Sequence, residues 1–302
     1  MNCLIGLGSN VGDRQSFLEE SLKGILANPR VSLIAKSSFY ETVPIGMSAK
    51  DTPFLNGVAA LASELPSIEL FSLLQKTEHE LGRTRTGRWD ARNIDLDLLL
   101  FGEEELHTEE LVVPHPRMTF RGFVLQGAME VAADWVHPTT GWTVAQLWHN
   151  LSRKPRYVAL CGDPNLASLM VRDLLNHSID CKVCLDPCAA ASSSGHPNQA
   201  AIEFLDLRLA ELTRCCQDQL DDRVCVSSFW IGQGPGEVPA DHPWLQPTLL
   251  VNVPAGTDNQ VMDDCIDRWF NGPVLSVNGS DPEWASRELR AVVESLQTTI
   301  KG

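Results

Sequence analysis

The sequence predicts two domains of different fold class: an α+β domain over residues 1–152 and an α/β domain with a parallel sheet over residues 157–302. The length of 302 residues suits two domains that each bury a core of their own. The two halves order their strand-type and helix-type segments differently, and their charge and cysteine content also differ. The stretch 151–156 is the predicted linker.

The first half alternates strand and helix signals in the order β-α-β-β-α-β. Residues 54–62 alternate as a strand does, residues 67–81 repeat apolar side chains at helical spacing, and a loop with proline and glycine fills 43–53. This order is the ferredoxin-like pattern, which predicts an antiparallel sheet with helices on one face. The predicted strands are 4–7, 31–40, 54–62 and 94–101, and the predicted helices are 14–27 and 67–81.

The second half places helices between nearly all of its strands, which predicts a parallel sheet. A stretch rich in serine, alanine, glycine and proline, 187–199, is the predicted loop. The predicted strands are 157–161, 178–185, 224–230, 248–253 and 274–277, and the predicted helices are 166–176, 200–220, 259–270 and 281–299.

The acidic balance of the chain limits its partners. The net charge is −15, of which residues 1–156 contribute −4 and residues 157–302 contribute −11. Such an acidic surface argues against binding to nucleic acid or to an anionic membrane. The sequence also has no apolar run of membrane-spanning length and no export signal at Met1, so we expect a soluble, cytoplasmic protein.

Eight of the nine cysteines lie in the second half. An odd number of cysteines without an export signal predicts reduced thiols. Cys181, Cys184 and Cys188 could form half of a zinc or iron–sulfur site, to which the Cys215–Cys216 pair could contribute. Because no second Cys-x-x-Cys motif or histidine pair completes it, the pattern favours small thiols, buried or half-exposed, over a metal site.

The segment 82–101 carries the strongest functional signal. Asp95 and Asp97 lie two apart on the predicted strand 94–101, so they share one face, and paired carboxylates suit Mg²⁺. A cluster of four arginines comes just before this strand, and arginine binds phosphate oxygens two at a time. The arginines and the carboxylates together therefore predict a triphosphate site rather than a solvated loop beside an exposed strand face. The four arginines are Arg83, Arg85, Arg88 and Arg92.

Arg88-Trp89-x-x-Arg92-x-x-Asp95-x-Asp97 followed by aliphatic residues resembles the signature of the 6-hydroxymethyl-7,8-dihydropterin pyrophosphokinase family of the folate pathway. The resemblance extends from about Met1 to about Trp148. The other matching segments are 6–10, 38–46, 54–56, 78–83, 113–118 and 121–123.

The resemblance implies that ATP donates its terminal diphosphate to the hydroxymethyl group of the dihydropterin and releases AMP. Catalysis would consist of positioning and charge neutralisation. Two Mg²⁺ ions held by Asp95 and Asp97 would bridge the outer phosphates and reach the substrate hydroxyl. The implied catalytic residues are Arg83, Arg92, Asp95 and Asp97, with Arg92 on the transferred group.

The same resemblance implies the residues that bind the two substrates. The implied ATP-binding residues are Glu78, Arg85, Arg88, Leu98, His115 and Arg121. The implied pterin-binding residues are Phe54 and Phe123, which stack on the ring, Thr42, Val43, Ile45 and Asn56, which contact its edge, and Trp89, which closes over it. Asp90, Glu110 and Pro116 depart from the family pattern, which bears on ATP affinity more than on the reaction.

The second half resembles the deoxynucleoside kinases at 157–162, 204–212 and 247–253. Their phosphate loop reads Gly-x-x-x-x-Gly-Lys-Ser/Thr, and here Ala167, Ser168 and Leu169 replace its last three positions. The resemblance therefore implies a degenerate P-loop-kinase-like domain without catalysis.

Two other functions stay open. The first is a non-catalytic pterin or nucleotide sensor, against which the complete set of arginines and carboxylates argues. The second is a fusion of two enzymes with an active nucleoside kinase, against which the missing lysine argues. We expect ATP and the dihydropterin as partners, and we leave open a homodimer formed through the second half.

Overall fold

The computed structural model describes two compact units, Met1–His149 and Asn150–Ile300. Within them the described residues are 1–43, 52–82, 93–187, 197–216, 223–230, 246–254, 266, 270 and 272–298, with the backbone alone described for 197–206. Most of the predicted helix 259–270 therefore lies outside the described residues. No helix in these ranges is both long enough and apolar enough to cross a membrane.

The first unit is built on an antiparallel sheet in the order β2-β4-β1-β5, with the short β3 paired to β4. This is the strand order of the split β-α-β arrangement, and it confirms the α+β class. The elements are β1 (Asn2–Ser9), α1 (Arg14–Leu26), β2 (Val31–Lys36), β3 (Tyr40–Thr42), β4 (Phe54–Ser63), α2 (Ser67–Glu80), β5 (Asp95–Phe101), β6 (Leu106–His107), β7 (Val112–Val113), a 3₁₀ turn (Met118–Phe120), α3 (Gly122–Ala132) and α4 (Val144–Ser152).

Helices α1 and α2 cover one face of this sheet. Leu18 and Leu74 from the two helices are fully buried in one cluster with Ile5 of β1 and with Leu96 and Leu98 of β5. Complete burial of such a side chain stabilises the fold by roughly 1.5–3 kcal/mol. Because side chains alternate along a strand, the residues next to these in β1 and β5 point to the opposite face of the sheet.

The opposite face is covered in part by α3, whereas the sequence predicted helices on one face only. Gly127 of α3 makes this packing close, since a Cβ atom there would lie 2.5 Å from the Tyr40 hydroxyl and 2.8 Å from Val58 Cγ2. The helix lies beyond the β-α-β-β-α-β segment on which the prediction rested.

The predicted strand 31–40 is wrong in one respect, because it is divided into β2 and β3. The Ser37 backbone N–H donates to the Val58 carbonyl at 2.9 Å, while the Ser37 hydroxyl accepts from the Val58 N–H at 2.9 Å. A serine side chain thus replaces a backbone carbonyl in the ladder, and regular pairing stops there.

The second unit has a five-stranded parallel sheet in the order β12-β11-β8-β10-β9, which confirms the parallel α/β prediction. Its first strand, β8, is central, and residues 157–161 of it are buried. The elements are β8 (Tyr157–Gly162), α5 (Pro164–Asn176), β9 (Cys181–Cys184), α6 (Pro197–Cys216), β10 (Val224–Ser227), β11 (Leu249–Val253), β12 (Val274–Ser276) and α7 (Pro282–Thr298).

Part of the predicted linker 151–156 is buried. Helix α4 continues to Ser152, and Leu151 is fully buried. Arg156 is only 2% exposed, and one of its guanidinium nitrogens donates to the Leu296 carbonyl at 2.5 Å. Between α4 and β8, Pro155 and Arg156 are therefore buried, whereas Lys154 is exposed.

Candidate active site

The two carboxylates of β5 lie on the sheet face opposite α1 and α2. Asp95 and Asp97 are half-buried, whereas Leu96 and Leu98 are buried in the core on the other side. Across the ladder, Asp95 pairs with Gly8 and Asp97 with Gly6 of β1. The strand alternation predicted from sequence is confirmed, and the β1 partner of each carboxylate is a glycine.

Gly8 lies at the centre of a row of polar side chains that crosses three strands. It pairs with Asn56 of β4 on one side and with Asp95 on the other. A Cβ atom at Gly8 would lie 3.0 Å from Asn56 Oδ1, 3.8 Å from the Phe54 ring and 3.9 Å from the Asp95 Cβ. Asn56 also donates from Nδ2 to the Thr42 hydroxyl at 2.6 Å. Three of the predicted site residues therefore surround one glycine, and a fourth, Thr42, is hydrogen bonded to one of them.

A second group of predicted residues approaches Asp97. The Arg121 guanidinium lies 3.8 Å and the His115 Nε2 lies 3.9 Å from the same carboxylate oxygen, Oδ2. Arg121 is stacked over the Phe123 ring at 5.5 Å from its centroid. The Tyr40 hydroxyl donates to the Phe123 carbonyl at 2.5 Å, which attaches the start of α3 to β3.

The environment of His115 keeps its imidazole neutral. Burial, together with the positive charges of Arg121 and Arg117, lowers the pKa of His115 to about 3. Its Nδ1 accepts a hydrogen bond from the Arg117 N–H at 3.1 Å, so the ring proton is on Nε2, which faces Asp97. His115 can therefore donate a hydrogen bond to an anion without carrying a charge.

Glu78 and Leu98 lie beneath this face. Glu78 is 3% exposed, and its Oε1 accepts from the Leu96 N–H at 2.8 Å, between the two aspartates. Leu98 is part of the core. Both residues support β5, and the ATP contacts expected of them stay predictions.

Several predicted site residues lie outside the described residues. They are Ile45, Arg83, Arg85, Arg88, Trp89 and Arg92. The residues that flank the segment 83–92 are described, and they are neighbours, since a Cβ atom at Gly82 would lie 3.7 Å from Asn93 Nδ2. In the sequence, Arg92 is three residues before Asp95.

Sequence reasoning missed two contributors to the site. It gave Gly8 only as part of the matching segment 6–10, whereas Gly8 lies in β1 at the centre of the polar row. It did not assign Tyr40, which links β3 to the start of α3. The alternation of Gly6 and Gly8 with apolar residues was the available signal for a strand with one uncovered face.

Paired carboxylates with cationic and neutral hydrogen-bond donors, on one face of this sheet, define an enzyme that transfers a phosphoryl or diphosphoryl group. Residues 4–133 match the family model for 7,8-dihydro-6-hydroxymethylpterin-pyrophosphokinase. The chain belongs to this family, which confirms the resemblance found in its motifs.

Curated relatives agree with the family match. The chain is 44% identical over 127 residues to the 2-amino-4-hydroxy-6-hydroxymethyldihydropteridine pyrophosphokinase of Bacillus subtilis, a match that covers 42% of this chain and 75% of the relative. It is 39% identical over 137 residues to the protein of the same name from Haemophilus influenzae, covering 45% of this chain and 84% of the relative.

A solved structure, wild-type Plasmodium falciparum HPPK-DHPS with pteroate, is similar at 11% identity with a TM-score of 0.41, covering 97% of this chain and 79% of that chain. This similarity is too weak to support an inference about either unit.

Proposed function

We infer that the first unit transfers diphosphate from ATP to 6-hydroxymethyl-7,8-dihydropterin, releases AMP and so serves folate biosynthesis. The observation that carries this inference is the position of Asp95 and Asp97 on the sheet face away from α1 and α2, beside Arg121 and His115, in a member of this family. The hydroxymethyl oxygen attacks the β-phosphorus of ATP, the bond from that phosphorus to the α-phosphate oxygen breaks, and the hydroxyl proton is released.

Asp95 and Asp97 would hold the Mg²⁺ that accompanies ATP. Their oxygen ligands and partial exposure fit this cation, which prefers carboxylates together with substrate phosphates. When bound, Mg²⁺ neutralises phosphate charge and favours deprotonation of the substrate hydroxyl. We propose two ions, one for the outer phosphates and one for the hydroxyl.

The cationic side chains would bind the triphosphate. Arg121 is directed to Asp97 and supported by the Phe123 ring, which fits a guanidinium that binds phosphate beside a carboxylate-held cation. His115 would donate from Nε2 to a phosphate oxygen rather than transfer a proton, because its pKa of about 3 keeps it neutral near pH 7. From the segment 83–92, all four arginines would clamp the phosphates, with Arg92 on the transferred group.

The polar row would bind the pterin. Phe54 and Phe123 would stack on its ring, and Asn56, oriented by Thr42, would contact its edge. The contacts proposed for Val43, Ile45 and Trp89 rest on the family resemblance.

The test is turnover by the full chain with ATP, the dihydropterin and Mg²⁺, followed by the formation of AMP and of the pterin diphosphate. We expect equimolar products, and none when the cation is removed. Stoichiometric binding of ATP and pterin without any AMP would contradict this function and favour a sensor.

We further propose that the second unit is a degenerate nucleoside-kinase-like domain without catalysis. Helix α5 begins two residues after β8, and the Asp163 carboxylate accepts from the N–H groups of Asn165 at 2.8 Å and Leu166 at 3.2 Å. An internal carboxylate thus occupies the helix N-terminus, where a phosphate group would otherwise bind. Ala167, at a position of the missing Gly-Lys-Ser/Thr motif, is buried within α5.

The corresponding test is to incubate the full chain with ATP, Mg²⁺ and each deoxynucleoside in turn. We expect no monophosphate above a protein-free blank, and a clear product from any of them would contradict the proposal. A homodimer formed through this unit and a cytoplasmic location stay predictions from the sequence.

A further inference from the structure

Three thiols and a carboxylate converge in the second unit, in a cluster that the proposed reaction does not use. The Sγ atoms of Cys184 and Cys215 and a carboxylate oxygen of Glu211 all lie within 4.8 Å of one another. Cys225 is buried in the same core cluster, on the strand next to that of Cys184, and its sulfur is not a member of this 4.8 Å group. We call these four residues the thiol cluster.

The topology of the unit explains why distant residues meet here. Strands β9 and β10 are parallel neighbours in which Cys184 pairs with Ser227 and Cys225 with Lys182, so Cys184 and Cys225 share one face. Glu211 and Cys215 are four residues apart on α6, which places them on one side of that helix. Helix α6 packs against both strands.

We propose that the thiol cluster binds one thiophilic divalent cation of the Zn²⁺ class, with Cys184, Cys215 and Cys225 as thiolate ligands and Glu211 as the carboxylate ligand. Tetrahedral Zn²⁺ with bonds of about 2.3 Å to sulfur and about 2.1 Å to oxygen separates its ligands by roughly 3.5–3.8 Å. The Cys215 Sγ and Glu211 Oε1 atoms are already 3.9 Å apart. Cys184, Cys215 and Glu211 would have to approach one another by only about 1 Å, and a further movement of Cys225 would complete the site.

The surroundings of the cluster suit a cation. The Arg214 guanidinium holds the Glu211 carboxylate with two hydrogen bonds, of 3.0 Å to Oε2 and 2.6 Å to Oε1. Such a partner orients a ligand carboxylate, and its positive charge offsets part of the negative charge of the thiolates.

Burial indicates a structural role. Cys184 is 0%, Cys225 1% and Cys215 6% exposed, so the three sulfur atoms are enclosed. The Glu211 side chain is 28% exposed, which provides the path by which a cation enters. Closed sites with four protein ligands stabilise folds, whereas catalytic zinc keeps a position open. Bound Zn²⁺ would therefore join β9, β10 and α6 and stabilise the second unit.

The test is a titration of the reduced full chain with Zn²⁺ against a chromophoric chelator. We expect one tightly bound equivalent, and we expect Cys215→Ser and Cys184→Ser each to weaken binding at least about 100-fold. Cys181→Ser is the matched control, because Cys181 lies three residues from Cys184 on β9, faces the other side of the sheet and is half-exposed. It should bind Zn²⁺ within about threefold of the unchanged chain.

Glu211→Gln provides a second variant that keeps every thiol, and it should weaken Zn²⁺ binding about tenfold or more, even where a cysteine variant fails to fold. The proposal is overturned if the reduced chain binds no stoichiometric Zn²⁺, or if Cys215→Ser and Glu211→Gln both bind it as tightly as the unchanged chain. An equal loss in Cys181→Ser, or a Cys184–Cys215 disulfide in place of bound metal in freshly isolated protein, would also overturn it.

Discussion

The carboxylates of β5 and the β8–α5 turn show how similar sequence signals acquire different roles. In the first unit, Gly8 keeps space among Phe54, Asn56 and Asp95, and the carboxylates of β5 on the same face are half-buried. In the second unit, Gly162 has a φ of +106°, and a Cβ atom there would clash with the Val253 carbonyl. Gly162 is therefore required for the close approach of the backbone at the ends of β8 and β11.

The acidic residues differ in the same way. Asp97 is 37% exposed and lies within 4 Å of Arg121 and His115, so it can take up a cation and its phosphates. The Asp163 carboxylate is already used by the backbone of α5. A glycine and an acid near a strand end therefore indicate a ligand site only when the glycine is not required for backbone packing and the carboxylate is not used to cap a helix.

The sharpest test of this comparison removes both carboxylates of β5. We expect the double variant Asp95→Ala, Asp97→Ala to lose at least about 10³-fold in turnover, because cation-mediated stabilisation of phosphate charge is worth several kcal/mol. The fold should persist, since both side chains are only half-buried. AMP formation measures the effect, and Glu109→Gln, at an exposed acid of the same unit, is the control. Substantial Mg²⁺-dependent turnover by the double variant would refute the assignment of the site.

The second prediction concerns His115 and pH. Its pKa of about 3 in the folded protein lies below the unfolded value of about 6.5, so the unfolded chain binds a proton that the folded chain does not. The associated stability is present above about pH 6.5 and is lost as the pH falls toward 3, by up to about 2 kcal/mol at pH 5.

His115→Gln should therefore reduce the loss of thermal stability between pH 7 and pH 5, and the melting temperature of the first unit measures it. His107→Gln, at an exposed histidine of the same unit, is the control. An unchanged pH dependence in His115→Gln would show that this imidazole is not kept neutral by the fold.

The third prediction uses the two glycines of β1. A methyl group at Gly8 would lie 3.0 Å from Asn56 Oδ1, whereas at Gly6 it would meet the Leu99 side chain at an ordinary 3.6 Å. Gly8→Ala should raise KM for the dihydropterin about tenfold, or 1.4 kcal/mol, and change KM for ATP much less. Gly6→Ala should leave both within about twofold. Equal effects of the two substitutions on the pterin KM would show that Gly8 does not line the pterin site.

Much of the fold of the first unit could be predicted from the hydrophobic periodicity of its segments and the spacing of its motifs. The shared face of Asp95 and Asp97 needs only the two-residue alternation of a strand, and the family motifs supplied the site residues. The break at Ser37 did not follow, because it depends on one hydroxyl that bonds to a residue 21 positions away. The position of α3 over β4 also depends on tertiary packing through Gly127.

In the second unit, spacing within the sequence was a poor guide to the cysteines. The Cys-x-x-Cys pattern suggested Cys181 with Cys184, but residues three apart on a strand face opposite sides of the sheet. Cys184 instead meets Cys215 and Glu211. The available signal was the four-residue spacing of Glu211 and Cys215, which means little until α6 is known to lie over β9.

The smallest predicted effect concerns Asp163. If its carboxylate serves only the backbone of α5, Asp163→Ala should lower the stability of that helix by about 1 kcal/mol, the usual cost of losing an N-cap. Asp163→Asn should lower it by only a few tenths of a kcal/mol, because asparagine caps helices about as well. Hydrogen exchange of the α5 backbone amides in the full chain measures both.

Neither Asp163 variant should phosphorylate a deoxynucleoside, since removing the carboxylate restores no lysine and no phosphate loop. Kinase activity in Asp163→Ala but not in Asp163→Asn would mean that the cap alone had blocked a working site. The Asp163 side chain, and not the missing phosphate-loop motif, would then be the reason why the second unit has no kinase activity.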